Sequence, residues 1–306
     1  MKRALVIGAE YEMGGLLCKS LAKYNWTITA TIDDPRHSVE LQSNLTLAEL
    51  ANDDAILLDE LIANCDTVFL HLPDPTLEGQ VILSIEAILT LVTKHKRHLM
   101  LTTNFYDTQS SPFSTFTFWR QKNPITIALP TKLKSRLELA ADAGAQITVL
   151  CCGHSLSCAI KQSYLGILIK ETKQKLILQS PSSYGINHYW TFLPDLAENI
   201  VHHLSTQSNT VNHFDIMYYP GHQASIKDIA RCLALSSGKP VTVTQLHWTL
   251  MELISLFSPL FRGFIKMRSA WQQGVQLPIH RTNKSKKIVV HTPLELALQQ
   301  SWQQLK

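Results

Sequence analysis

A chain of 306 residues, 45% apolar and with a mean hydropathy near zero, suits one large domain or a main domain with a lobe, and it excludes a disordered chain. The net charge of +4 is mild, and the basic runs KHKRH (94–98) and NKSKK (283–287) are short and far apart, which argues against a nucleic-acid groove. Six cysteines (Cys18, Cys65, Cys151, Cys152, Cys158 and Cys232) form neither a disulfide framework nor C-x-x-C pairs, as in a reducing compartment.

Along the chain, Ala4 to Ile7 is a continuous apolar run ending at Gly8, the pattern of a buried parallel strand. Residues 14–24 follow with helical spacing (Leu16, Leu17, Leu21), and residues 26–32 are rich in β-formers, completing a βαβ unit. Helical patterns are read around residues 46–50 and 55–64, and a strand at 67–72. A long amphipathic helix is expected at 78–95, a strand at 98–103, a helix at 131–143 and a further strand in ITVLCCG (147–153). Strands alternating with helices in this way predict an α/β fold, a Rossmann-type doubly wound parallel sheet.

After about residue 155 the alternation loosens. Helices are expected at 193–205, 225–236, 246–257 and 293–304, and residues 175–189, rich in Ser, Gly, Pro and Asn, read as loop. The expected division is a dinucleotide-binding domain over residues 1–155, with part of 190–220 returning to it, and a smaller, mostly helical C-terminal lobe over 156–306. The stretch LMELISLFSPLFRGFIKM (250–267) is broken by Glu252, Pro259 and Arg262, so it makes no clean membrane span, and a cytoplasmic protein is expected.

The stretch GAEYEMG (8–14) sits where a nucleotide-binding turn belongs. In such turns one glycine permits the bend, a second lets backbone approach the pyrophosphate, and a third lets helix pack on sheet. Gly8 and Gly14 fit the first and third roles. Tyr11 takes the second, and Glu10 and Glu12 bring negative charge beside an anion site. Asp33, at the end of the second strand, can accept hydrogen bonds from adenosine ribose hydroxyls, which favours NAD, whereas Arg36 nearby keeps NADP open. An ordinary strand-to-helix turn is the competing reading.

With these segments, VFLHLPD (68–74) and LPDLAENI (193–200), the chain resembles extended or atypical short-chain dehydrogenases/reductases, and more narrowly the NAD-dependent epimerase/dehydratase group. TTNFYD (102–107), LKSRLELAADAGAQITVL (133–150) and the tail HTPLELALQQSW (291–302) carry most of the similarity. The resemblance implies a nicotinamide cofactor, NAD or NADP, held by Gly8, Glu10, Tyr11, Met13, Gly14, Asp33, Leu72 and Lys134. It implies chemistry in which a Tyr-x-x-x-Lys pair and a Ser or Thr handle the proton and the substrate oxygen.

Carried over by position, Lys134 matches the lysine, supported by Glu138, and Thr103 the hydroxyl, with Thr102 second. The tyrosine position falls on Pro130, which has no proton to give. Tyr106 is the one substitute, against the plainer reading of a packed loop aromatic. The resemblance also implies a small carbonyl, hydroxyl or sugar-nucleotide substrate, and pairing of two copies through helices such as 78–95 and 131–143.

Other chemistry has less support. CCGHSLSC (151–158) offers sulfur and nitrogen, yet adjacent cysteines on a strand point to opposite faces, so no metal site is expected there. His71 is read as a buried, satisfied side chain. Trp190, Trp248, Trp271 and Tyr189 are cleft walls or core. Two functions remain open: an NAD(P)-dependent oxidoreductase or epimerase, and a non-catalytic relative that senses a nucleotide or binds a protein. Tyr11, Glu10, Glu12 and Pro130 favour the second; Lys134, Thr103 and Asp33 favour the first.

Overall fold

The computed structural model describes residues 1–32, 43–50, 54–72, 85–103, 125–126, 129, 131–157, 163–206, 213–257, 259–276 and 290–303. The first elements are β1 (Arg3–Ile7), α1 (Glu12–Lys23), β2 (Thr27–Ile32), β3 (Leu45–Glu49), α2 (Ala55–Ala63), β4 (Thr67–Leu72), α3 (Ile85–Lys94) and β5 (His98–Thr103). Next come β6 (Ile125–Thr126), α4 (Thr131–Asp142), β7 (Gln146–Cys152), β8 (His154–Leu156), α5 (Tyr164–Leu168), β9 (Ile169–Glu171), β10 (Leu176–Ser180) and β11 (Asn187–Phe192). The chain continues through α6 (Leu193–Thr206), β12 (Phe214–Tyr219), β13 (His222–Ser225), α7 (Ile226–Ser237) and β14 (Val241–Gln245). It closes with α8 (Trp248–Ser255), α9 (Pro259–Lys266), α10 (Arg268–Gln273), β15 (Val275–Gln276) and α11 (Leu294–Gln303).

Seven parallel strands form the main sheet in the order β12-β7-β5-β4-β1-β2-β3. Strand order reverses at β1, which pairs with β2 on one side (Val6 beside Ala30) and β4 on the other (Val6 beside Phe69). In open parallel sheets such a reversal leaves a crevice at the carboxyl ends of the strands. Here that crevice lies beyond Ile7 and Leu72.

The continuous apolar runs follow from burial on both faces. Leu5 and Ile7 point into a core shared with α2, α3 and α4, while Ala4 and Val6 point into a second core shared with α1 and α6. On β7 the same alternation sends Cys151 to the first core and Cys152 to the second, so the two thiols face away from each other. Helix α1 buries Met13, Leu17 and Leu21 at four-residue spacing, and its last turns reach α6, where Ser20 Oγ and Lys23 Nζ donate to Glu198 Oε2 at 3.0 and 3.1 Å. Among the described residues no helix is long and apolar enough to cross a membrane.

Two local expectations fail. Residues 46–50 are not helical: Leu45–Glu49 is the edge strand β3, registered on β2 from Ile28 beside Leu45 to Ile32 beside Glu49. Pairing with the open edge of β2 outweighs a helical pattern only five residues long. Residues 175–189 are not all loop, because β10 runs from Leu176 to Ser180 and β11 begins at Asn187. Leu176 and Leu178 alternate into the core, and only the turn between the strands uses the Ser, Pro and Gly residues. Strands β10 and β11 anchor two small three-stranded sheets, β14-β10-β9 and β13-β11-β8, so the lobe is helical with added strands. Of the helix read at 78–95, α3 covers Ile85–Lys94, and residues 78–84 lie outside the described residues.

Buried imidazoles make stability depend on pH. His98, with Nε2 at 3.0 Å from Thr148 Oγ1, and His188, with Nε2 at 3.1 Å from Ser182 Oγ, are each pushed down to about 4 by burial, and burial also drives His154 well below its ordinary value. The unfolded chain, with imidazoles near 6.5, therefore binds more protons than the fold between those values. The expected outcome is a thermal midpoint that is flat above pH 7 and falls as the pH drops from 6.5 towards 4. A His98→Gln variant should reduce that slope; an unchanged midpoint between pH 7 and 5 in the unmodified protein would contradict the burial argument.

Candidate functional site

At the end of β1 the chain must turn at once into α1, and glycine makes this feasible. Gly8 adopts φ +78°, a conformation disfavoured for side-chain-bearing residues. Thr31, on the neighbouring strand, fixes the bend: Gly8 N donates to its Oγ1 at 3.2 Å and Ala9 N donates to its carbonyl at 2.9 Å. Tyr11 N then donates to Gly8 O at 3.2 Å, closing the turn.

Gly14 is held by contact. A Cβ there would lie 2.2 Å from Gly8 O and 2.8 Å from Ala9 Cα, so α1 rests directly on the turn backbone. The Tyr11 ring leans back over Gly8, where a Cβ would come within 2.9 Å of its Cδ2, and the residue stays 37% exposed. Tyr11 occupies the N-cap of α1 and makes no side-chain capping bond, so its side chain does not quench the positive end of the helix. Met13 and Gly14 are buried in the first turn. The Glu12 carboxylate accepts a hydrogen bond from Ser157 Oγ, which ties it to the segment just after β8.

At the neighbouring strand ends, Leu72 is half-buried and His71 Nδ1 lies 2.7 Å from Thr102 Oγ1. Burial pulls His71 down to about 4, so at neutral pH it is an uncharged partner for that hydroxyl. Thr103 is fully buried, and its Oγ1 has no hydrogen-bond partner among the described residues. Next to it, Cys152 Sγ faces Thr103 O at 3.5 Å.

Lys134 lies elsewhere. It sits on α4 with its ammonium 3.4 Å from Glu138 Oε1, both side chains nearly half-exposed. Among the described residues no hydrogen bond joins Lys134 to Thr103. Asp33, Arg36, Tyr106 and Pro130 lie outside the described residues. The structure thus gathers Gly8, Tyr11, Met13 and Gly14 at one turn, with Thr103 on a nearby strand end. Trp190 and Trp271 are fully buried and stack around His154, whose ring lies 3.7 Å from that of Trp271, so these tryptophans are core.

Thr31 and Ser157 are the site residues that sequence reading missed. Thr31 lies within a β-rich run and Ser157 in the cysteine-rich stretch 151–158. Neither carries a spacing signal, because each reaches the turn through tertiary pairing.

No protein-family model matches the chain, and no curated protein sequence matches it either. Solved structures do match across nearly its whole length. A nucleoside-diphosphate-sugar epimerase from Staphylococcus aureus superposes with a TM-score of 0.67 at 14% identity, covering 98% of this chain and 100% of that one. A triphenylmethane reductase from Citrobacter, complexed with NADP(H), gives 0.65 at 13% identity, covering 98% and 100%. NmrA, a negative transcriptional regulator in complex with NAD, gives 0.66 at 13% identity, covering 99% and 91%. The chain therefore has a Rossmann-type α/β fold, a seven-stranded parallel sheet with flanking helices, like these structures.

The contact at Gly14 can be tested alone. Gly14→Ala should lower the free energy of unfolding in urea by about 1–3 kcal/mol, because backbone atoms block the new methyl group. Gly15→Ala, whose Cβ would meet only Ala9 O at 3.4 Å, should be neutral or stabilising. Equal stability of the two variants would contradict the close packing.

Proposed function

We propose that this chain binds a nicotinamide dinucleotide at the β1–α1 turn and acts as an oxidoreductase or epimerase of the short-chain dehydrogenase/reductase kind. Its substrate on this reading is a sugar nucleotide or another small carbonyl or hydroxyl compound. The observation that carries the reading is the turn itself: Gly8 at φ +78° and Gly14 with no room for a Cβ hold the start of α1 at the sheet's switch point. These residues fit a diphosphate. The N–H groups of the first turn and the helix dipole favour an anion, Tyr11 lies back on Gly8, and Ser157 holds the Glu12 carboxylate. Preference for NAD over NADP rests on Asp33.

When bound, the nicotinamide supplies the site that gives or takes a hydride. The chain's own part is to orient and to move a proton. Thr103 Oγ1, buried and without a hydrogen-bond partner among the described residues, would hold a substrate oxygen. Tyr106 or a water transfers the proton, since Pro130 cannot. Lys134 on this reading must leave Glu138 to reach the cofactor ribose.

That requirement supports a second reading, in which the protein binds the dinucleotide as a sensor and turns nothing over. It is favoured by the outward Lys134–Glu138 pair together with Pro130. NmrA, described as a negative transcriptional regulator in complex with NAD, gives it a structural parallel.

Calorimetric titration with NADH and NADPH tests what both readings share. NADH should bind, and more tightly than NADPH; no binding of either at millimolar concentration would overturn both. Thr103→Val then separates them. It removes a hydroxyl that has no hydrogen-bond partner among the described residues, so stability should hold or rise. Turnover over a panel of nucleotide sugars and small carbonyl compounds should be lost if Thr103 orients substrate. Lys134→Ala should likewise abolish turnover on the first reading, whereas a sensor shows none in the unmodified protein.

A further inference from the structure

Three side chains from separate segments converge near the carboxyl end of β12: Asp195 in the first turn of α6, His222 at the start of β13, and His291 just ahead of α11. One potential ligand atom from each lies within 4.8 Å of the other two. The imidazoles face each other with ring centroids 4.5 Å apart. We propose that Asp195, His222 and His291 form a binding site for a divalent transition-metal ion, zinc foremost, with the remaining coordination position open to water or another small donor.

Asp195 is a buried carboxylate in the first turn of α6. Asp195 is 4% exposed, and among the described residues no lysine or arginine pairs with it. Burying a carboxylate without a counter-ion is costly. Its oxygens accept from Thr292 N at 2.6 Å and Thr292 Oγ1 at 2.7 Å, which aims the group without neutralising it. Each carboxylate oxygen keeps capacity for a further bond.

The histidines complete the set. His222 is 8% exposed, and among the described residues neither its imidazole nor that of His291 makes a hydrogen bond. The three candidate donor atoms come within 4.8 Å of one another and leave a space between them. An ion with bonds of about 2.0–2.2 Å could bridge it after modest side-chain rotation. A metal takes the imidazole lone pair, so binding releases any proton that the ring carries. Two imidazoles and one carboxylate are the donor set that suits zinc and its neighbours, whereas oxygen-only sites suit calcium or magnesium.

The surroundings already behave as an orienting shell. Asn199, one turn after Asp195 on α6, donates from Nδ2 to Val290 O at 2.7 Å and accepts at Oδ1 from Val290 N at 3.2 Å. With Thr292 on Asp195, this fixes both sides of His291 to α6, so the exposed histidine sits on a pinned backbone. Such supporting bonds accompany metal ligands because they set ligand orientation. An ion here would tie α6, β13 and the segment before α11 together. The inference does not depend on dinucleotide binding.

The test uses the full chain stripped with EDTA and then titrated with zinc chloride by calorimetry and with cobalt chloride by visible absorption. One equivalent of zinc should bind and raise the thermal midpoint, and cobalt should give the ligand-field bands of a low-coordinate site. His291→Ala, an exposed position at which the fold should hold, is expected to weaken zinc binding by at least about tenfold. His222→Gln should do the same, with circular dichroism in EDTA checking that it folds; if it does not, His291→Ala alone decides. No binding by the unmodified chain, or equal binding by His291→Ala, would overturn the proposal, the latter by placing the ion elsewhere.

Discussion

Everything at the candidate site depends on one close approach, that of α1 to the turn that precedes it. Because Gly14 has no side chain, its backbone sits against the Gly8 carbonyl, at a distance where a methyl group would be 2.2 Å from that oxygen. The approach fixes where the positive end of the helix points, and it points at the crevice beyond β1 and β4. It also sets the height of α1 on the sheet, and hence how Met13, Leu17 and Leu21 meet the core shared with α6. Helix α6 in turn carries Asp195 and Asn199, which hold the segment leading into α11. A steric fact at one glycine is thus transmitted through two packed helices to the far end of the chain.

The parts legible in the sequence were those governed by periodicity and by glycine. Ala4 to Ile7 had to be a strand buried on both faces, and Gly8 and Gly14 were placed at the correct ends of the turn. What was not legible depended on partners distant along the chain. Residues 45–49 form a strand because β2 offers an open edge, which five residues of sequence cannot reveal. Residues 176–180 form one because β14 lies beside them, although the surrounding composition looks like loop. At the site, the Thr31 hydroxyl and Ser157 were invisible for the same reason. The Tyr11 ring folds back on Gly8, a choice of rotamer that the residue name does not convey.

The contrast between binding and catalytic features now has a physical form. The turn has positive φ at Gly8, close contact at Gly14 and no side-chain capping bond from Tyr11. The residues proposed for catalysis are less complete. Thr103 has a buried hydroxyl with no hydrogen-bond partner among the described residues, while Lys134 is paired with Glu138 at the surface of α4. A turn can be kept by selection on packing alone, since Gly14→Ala would strain the fold whatever binds there. The Thr103 hydroxyl, unsatisfied among the described residues, has no such packing reason, and it is the feature that most invites a ligand.

The account rests on the dinucleotide lying across the start of α1, and amide hydrogen exchange with and without NADH measures this directly. Bound diphosphate should slow exchange at the amides of Glu12, Met13 and Gly14, with little change at the amides of α4. Unchanged exchange over residues 8–15 at a saturating NADH concentration, or protection confined to another part of the chain, would contradict it.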